Sequence, residues 1–186
     1  MLKLTRRAVA LTALASLGLT AACGNGIGNM NGQKIDARAD ATLGHLFDRY
    51  PESREVAAKS VATLIMPVIT EAGFGFGGSY GQGALRIDGV TVDYYSAASA
   101  NLGLQIGAQQ YAHVLFFMTQ DALERFRRTD GWAMGADVEY AFSNDGANIR
   151  TDSYSGLSPI VAYVFAQAGA RLGATLEGVK YSRIIP

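Results

Sequence analysis

Cysteine, proline and histidine are all scarce in this chain: its 186 residues include one Cys, four Pro and two His. A single thiol cannot form an internal disulfide, so the core must hold the fold together. The two histidines, His45 and His113, have no ligand-like partner at metal spacing, so no metal site is predicted. Charged residues are also few, at 17%, with 16 basic and 16 acidic side chains. That balance argues against a nucleic-acid binder that works by neutralising phosphates.

Apolar residues and glycine are what the chain has in quantity, at 49% of the sequence and 22 residues respectively. The apolar content is enough for a folded core, and the length fits one domain better than two. The glycines follow no three-residue period, which excludes collagen. They indicate tight turns and strands that approach one another closely.

The N-terminus is typical of an export signal, predicted over residues 1–22. Lys3, Arg6 and Arg7 form a positive segment, and the apolar run from Ala8 to Leu19 has 12 residues, too few to span a membrane. The Arg pair resembles the twin-arginine export motif but lacks the Phe and Lys that usually follow, so the twin-arginine and general routes both stay open. Without these three cations the chain has 13 basic and 16 acidic residues, a net charge of about −3.

Cys23 stands directly after the apolar run. This position favours a bacterial lipoprotein acylated on Cys23, although Thr20 stands where the usual lipobox has Leu. Ordinary cleavage after Ala22 is the alternative, because small residues occupy the two key positions. The segment 23–34 is rich in Gly and Asn and is predicted to be a flexible tether with a reach of about 20 Å. A folded domain is predicted over residues 35–186.

Two helices are predicted at the start of this domain and one further along. Apolar side chains recur at helical spacing from residue 35 to Pro51, and a second short helix is predicted from Glu52 to Ser60. Thr119 can cap a third helix that ends near Arg128. This helix has an acidic residue in its first turn and basic residues in its last, an order that suits the helix dipole. The solvated side of the first helix is predicted to carry Asp36, Arg38 and Asp40.

Elsewhere the apolar period changes to that of strands. A short strand is predicted from Val61 to Met66, ended by Pro67, and Asp88-Gly89 is predicted as a hairpin turn. The run before that turn places aromatic rings on one face of a strand. The other face is bare and carries Gly73, Gly75, Gly77, Gly81 and Gly83. A bare face lets the strand bend strongly or lets another element sit against its backbone.

The remaining alternations predict further strands at residues 90–95, 102–109, 112–118, 137–142, 147–152, 160–166 and 172–176. Together these elements predict an α+β fold with a curved, largely antiparallel sheet of about eight strands. The helices of this fold lie at the N-terminus, with one further helix near residues 120–128.

Two catalytic motifs fall in the glycine segment, and neither has the context that it needs. Gly73 to Gly78 satisfies G-x-G-x-x-G, but no helix follows to meet a pyrophosphate, so no nucleotide cofactor is predicted. Ser79 stands in G-x-S-x-G, with Asp88 or Asp93 and then His113 as formal triad partners. The nucleophile elbow requires a strand, a sharp turn and then a helix, so a hydrolase is the least favoured hypothesis. No enzyme is predicted.

Several segments together resemble the SYLF domain family. They are Lys59 to Pro67, Ala72 to Gly83, a G-x-Q-x-G-x-Q segment at residues 103–109, Met134 to Asp137, and Leu176 to Gly178. The resemblance runs in order from about Arg54 to Ser182. Its motif residues are Gly73, Gly75, Gly77, Gly78, Gly81, Gly83, Gly103, Gln105, Gly107, Gln109, Asp137, Glu177 and Gly178.

The resemblance implies a non-catalytic lipid-binding module that needs no cofactor. Eukaryotic SYLF proteins bind phosphoinositide membranes and in some cases actin, whereas bacterial members are commonly exported proteins or lipoproteins. Actin is not a plausible partner for an exported bacterial protein, which leaves an anionic phospholipid or another envelope amphiphile. The chain departs from the family at Ser143 to Gly146, where relatives carry G-P-x-G, and at Val164 to Ala168, where a polar run is usual. The second departure weakens any carry-over of headgroup contacts.

Lipid binding requires a basic surface for headgroups or an apolar cleft for chains. The candidate basic residues are Arg54, Lys59, Arg125, Arg127, Arg128, Lys180 and Arg183. Surface charge without a lipid role is the alternative for each of them. The sequence therefore predicts a lipid-binding protein on the periplasmic face of the cell envelope, lipid-anchored to the outer membrane. The alternative is a structural or protein-interaction module with no lipid binding of its own.

Overall fold

The computed structural model describes residues 31–133, 138–142, 158–166, 176 and 178–186. The predicted export signal, Cys23 and the start of the tether lie outside these residues. Asp137, Glu177 and the predicted strands at 147–152 and 172–175 also lie outside them.

The first helix, α1, runs from Asn31 to Arg49 and so begins inside the predicted tether. Its buried stripe has the spacing of one helical face and consists of Ile35, Ala39, Thr42 and Leu46. Gln33 and Lys34 are good helix formers and join the turn that leads into the buried stripe, so α1 overlaps the last residues of the predicted tether. The second helix, α2, spans Ser53–Lys59 and confirms the predicted short helix after Pro51.

One long hairpin replaces the series of shorter strands predicted before residue 118. Strand β1 spans Ala62–Ile87 and β2 spans Val90–Phe117, and the two pair in antiparallel fashion. The prediction that Pro67 ends a strand was wrong, because the register shifts between Met66 and Ile69 and lets β1 pass a residue that has no N–H donor. The predicted turn at Asp88-Gly89 is confirmed, with positive φ at both residues as a type I′ turn requires.

The bare glycine face of β1 lies directly against the first half of the same strand. A Cβ on Gly81 would collide with the carbonyl oxygen of Val68, and one on Gly83 would collide with that of Ile65. Both contacts would fall far inside van der Waals separation. A Cβ on Gly77 would sit tightly as well, 3.2 Å from a backbone oxygen. The hairpin is therefore folded over on itself, which confirms the close approach predicted for this face.

Four shorter strands complete a six-stranded sheet among the described residues. They are β3 (Trp132–Ala133), β4 (Val138–Phe142), β5 (Ile160–Ala166) and β6 (Lys180–Ile184). The order is β3-β6-β2-β5-β4, with β1 paired to β2, and β4 with β5 is the parallel pair in this part of the chain. The predicted α+β class with a curved, largely antiparallel sheet is confirmed. Strands β3 and β6 were not predicted.

The third helix, α3, spans Gln120–Arg128 and confirms the predicted helix at this place. Its N-cap is Thr119, whose hydroxyl accepts a hydrogen bond from the backbone N–H of Ala122 at 3.3 Å. None of the described helices is long and apolar enough to cross a membrane.

The helices cover the two faces of the sheet separately. On one face, Phe126 of α3 packs between the rings of Tyr95 and Phe117, with centroids 4.7 and 5.0 Å away. On the other face, α1 and α2 pack on alternate residues of the same strands, such as Val114 and Phe116 of β2. The result is a three-layer arrangement in which both faces of β2 are buried after residue 110.

Replacing Gly83 by Ala is expected to destabilise the protein by about 3 kcal/mol, since the new methyl group must displace the backbone at Ile65. The matched control is Gly44→Ala on α1, where nothing lies within 4 Å of the added Cβ. That variant should gain about 0.5–1 kcal/mol from helix propensity. Urea denaturation measures both values. Small and similar effects for the two variants would contradict the folded-over hairpin.

Candidate functional site

A cleft of about 690 Å³ opens between α1 and the irregular part of β1 around Pro67. One side of it is the flank of α1 next to the buried stripe, and β1, β2 and β5 supply the rest. The residues that line it are Arg38, Ala41, Thr42, His45, Pro67, Val68, Thr70, Gln110 and Phe165.

The lining combines an apolar surface with polar groups. The apolar part comes from Ala41, Pro67, Val68 and Phe165. Among the polar groups, the Gln110 amide donates to the Thr70 hydroxyl at 3.2 Å, and the His45 ring lies 5.8 Å from the ring of Phe165. Among the residues that the structure describes, the lining includes no carboxylate, and the guanidinium of Arg38 is its permanent charge.

The opposite flank of α1 is tied to the hairpin by a polar network. The Asp36 carboxylate accepts hydrogen bonds from the Thr91 hydroxyl at 2.8 Å and the Tyr94 hydroxyl at 2.9 Å. Arg86 pairs with Asp40 at 2.5 Å and also donates to the Asp36 carbonyl. Burial, and then the bond to Asp36, raise the pKa of Tyr94 above its usual value. The prediction that Asp36 faces solvent was therefore wrong, because folding places polar partners from β1 and β2 beside it.

Two of the predicted lipid-binding residues, Arg54 and Lys59, lie on α2. Arg54 pairs with Asp48 at 3.5 Å and places its guanidinium 4.8 Å from the ring centre of Phe47. Lys59 is exposed in the last turn of α2. Because α2 and α3 pack on opposite faces of the sheet, these two residues do not join the remaining candidates.

Two other candidates, Arg127 of α3 and Arg183 of β6, share one carboxylate. Asp93 of β2 is buried and accepts from Arg127 at 3.0 Å and from Arg183 Nε at 2.7 Å. The bond to Asp93 raises the pKa of Arg183 above its ordinary value. Sequence reasoning considered Asp93 as a formal triad acid, whereas the fold gives it this structural role. Its position in register with Tyr95 and Ala97 on the inner face of β2 was the signal for a buried charge.

The last three candidates are exposed, and they are distributed over two elements. Arg128 pairs with Glu124 one helical turn away on α3, while Arg125 has no ion-pair partner in the part of the chain that the structure describes. Lys180 is exposed on β6, where side chains alternate, so it faces away from Tyr181 and Arg183. The structure thus brings the α3 residues and Arg183 to one side of the sheet and leaves the other candidates elsewhere.

Neither catalytic motif has the geometry that it requires. Ser79 is buried in the middle of β1 and shares a 2.7 Å hydrogen bond with the Ser99 hydroxyl of β2. The glycine motif around it is continuous strand, so no helix N-terminus follows it. In the described ranges, no cluster of three or more His, Cys, Asp or Glu is suited to a metal ion.

Part of the chain is similar to a known protein family. Residues 98–183 match the family model Ysc84, which is described as Las17-binding protein actin regulator. This segment matches the SYLF family that the sequence motifs resemble. Among curated proteins, none matches the chain.

The SYLF match covers most of β2, all of α3, β3, β4 and β5, and β6 up to Arg183. It therefore includes Gln110 and Phe165 of the cleft, whereas the cleft residues on α1 and β1 lie before it. The glycine run of β1 also precedes the matched residues. Within the match, Gly178 has a φ of 76° just before β6, a conformation that glycine adopts without strain.

The SYLF segment also contains a fully buried histidine, His113 of β2. Its Nε2 lies 2.8 Å from the Tyr181 hydroxyl of β6, and its Nδ1 has no hydrogen-bond partner among the described residues. Burial lowers the pKa of His113 from 6.5 to about 3. His113 is therefore a neutral core residue that links β2 to β6. This agrees with the sequence analysis, which did not favour a catalytic triad role for it.

Stability is expected to fall in acid because of His113. Its pKa is lower in the folded protein than in the unfolded chain, so the unfolded chain binds an extra proton between pH 6.5 and about 3. The stability contribution is complete above this window and is lost as the pH falls through it, by about 2 kcal/mol at about pH 5. Urea denaturation at neutral pH and at about pH 5 measures the loss.

A His113→Gln variant should show an acid loss smaller than the parent's by that amount, since the amide does not titrate. The Gly44→Ala variant provides the control, because it changes no titratable group and should keep the parent's acid loss. An undiminished acid loss in His113→Gln would contradict a neutral, buried His113.

Proposed function

We propose that this SYLF-domain protein is a non-catalytic lipid-binding protein of the cell envelope that takes a phospholipid or a related amphiphile. The observation that carries the proposal is the cleft between α1 and β1. Its volume of about 690 Å³ lies within the range of about 300–1,000 Å³ typical of small-molecule sites. Its lining offers apolar contact for a chain and polar donors for a headgroup in one continuous space.

The cleft is a better candidate for the lipid site than a headgroup surface made of the basic residues predicted from the sequence. Arg54, Arg127, Arg128 and Arg183 each hold a carboxylate of the same chain. A basic residue near an anionic membrane contributes about 1 kcal/mol when its charge is available. Cations that already pair with acidic side chains of the same chain contribute less to membrane binding. We therefore assign these four residues a structural role.

The N-terminal features extend this proposal to location. We propose that residues 1–22 direct export, that Cys23 is acylated, and that the chain holds its domain at the periplasmic face of the outer membrane. The support is sequence alone: a cationic and apolar N-terminus followed by a lone cysteine. Cells expressing the full chain should incorporate labelled palmitate into it, and Cys23→Ala should abolish the label. Equal labelling of both proteins would contradict acylation at Cys23.

Intrinsic lipid binding is tested with a chain that starts at Gly24, which keeps every described residue and lacks Cys23. We expect it to sediment with vesicles of phosphatidylglycerol and phosphatidylcholine. Ala41→Trp, on the exposed flank of α1, should fill the cleft and weaken binding about tenfold, equivalent to about 1.4 kcal/mol.

The matched control is Ala37→Trp, which adds the same ring at an exposed position of α1 outside the cleft lining. It should bind as the parent does. Failure of the parent to sediment would instead favour the protein-interaction module. Equal binding by the two Trp variants would remove the cleft as the site.

A further inference from the structure

Among the described lining residues, the permanent charge of the cleft comes from one side chain, Arg38. It is exposed on α1 and has no hydrogen-bond or ion-pair partner among the described residues. Arg86, on the other flank of the helix, is held by Asp40, and Arg127 is held by Asp93. Arg38 therefore differs from them in having its charge available to an external anion, beside described lining residues that include no carboxylate.

The position of this charge is fixed from the far side of the helix. Asp36 and Asp40 attach α1 to β1 and β2 through Arg86 and Tyr94, and Ala39 and Leu46 are fully buried under it. Arg38 itself takes part in none of these contacts. A guanidinium on a rigid element loses less entropy when it binds an anion than one on a mobile loop.

The volume of the cleft matches that of one acyl chain. One water molecule occupies about 30 Å³ in liquid water. A cleft of about 690 Å³ therefore accommodates on the order of twenty non-hydrogen atoms of similar size. That number fits one long acyl chain with a small headgroup, so the cleft holds one chain at a time. Pro67, Val68 and Phe165 supply the apolar contact for such a chain.

Resting on the proposed function, we propose that the cleft binds a single-chain amphiphile with an anionic headgroup, of the fatty-acid or lysophospholipid class. The headgroup pairs with Arg38, and the chain lies along Val68 and Phe165. An ionised headgroup is a better acceptor for a guanidinium than a neutral one, because charge-assisted hydrogen bonds are about twice as strong. The cleft therefore selects by charge as well as by chain.

The test uses the full chain with a bound fluorescent fatty acid, displaced by oleate or by monoolein below their micelle concentrations. The two competitors share one chain and differ in headgroup charge. Oleate should displace the probe at a concentration about tenfold lower than monoolein does, equivalent to about 1.4 kcal/mol. Arg38→Gln should reduce that preference to about twofold, whereas Lys34→Gln, an exposed cation of α1 outside the lining, should preserve it.

The headgroup source is separated by two further competitors. Lysophosphatidylglycerol should displace the probe, and inorganic phosphate alone should not, since the chain is required. Equal displacement by oleate and monoolein, or an unchanged preference in Arg38→Gln, would overturn the assignment. If the chain sediments with vesicles but shows equal displacement or an unchanged preference in Arg38→Gln, the proposed lipid binding stands and the proposed selection by charge fails. If neither vesicles nor any amphiphile binds, the proposed function fails with it.

Discussion

The contact between the two halves of β1 is the constraint on which the rest of the structure depends. Gly81 and Gly83 have no side chain where the backbone of Val68 and Ile65 passes, so the long hairpin folds over without separating its halves. This contact holds the irregular segment at Pro67 in place below α1. The cleft follows from it, because α1 covers the sheet on one flank and leaves a gap beside that segment. A structural feature of glycine thus leads to the candidate site.

Local sequence patterns were sufficient to predict the fold class. They were not sufficient to predict which distant strands pair. The helix after Thr119 and the turn at Asp88 depend on nearby residues, so their sequence signals were reliable. The passage of β1 through Pro67 depends on the register with β2, which no local pattern reports. Strand β6 was missed because Lys180 to Ile184 is polar, and its strand conformation comes from pairing with β2 and β3.

The candidate site illustrates the same limit. Basic residues were selected by charge, but the acid that folding brings near decides whether a charge is available. Asp93 lies 34 residues from Arg127 and 90 from Arg183 in sequence, and it engages both. Arg38 was assigned to the solvated side of a helix, correctly by periodicity. Its proximity to an apolar surface became visible when β1 and β5 were placed beside it.

The proposed lipid site is the cleft and not the basic side of α3. The most direct measurement is an NMR titration of the protein with oleate, following the backbone amides. Binding in the cleft should give the largest shift changes at residues 38–45, 67–70, 110 and 165, with little change along α3 and β6. Changes concentrated at Arg125 to Arg128 and Arg183, with none around Arg38, would contradict it.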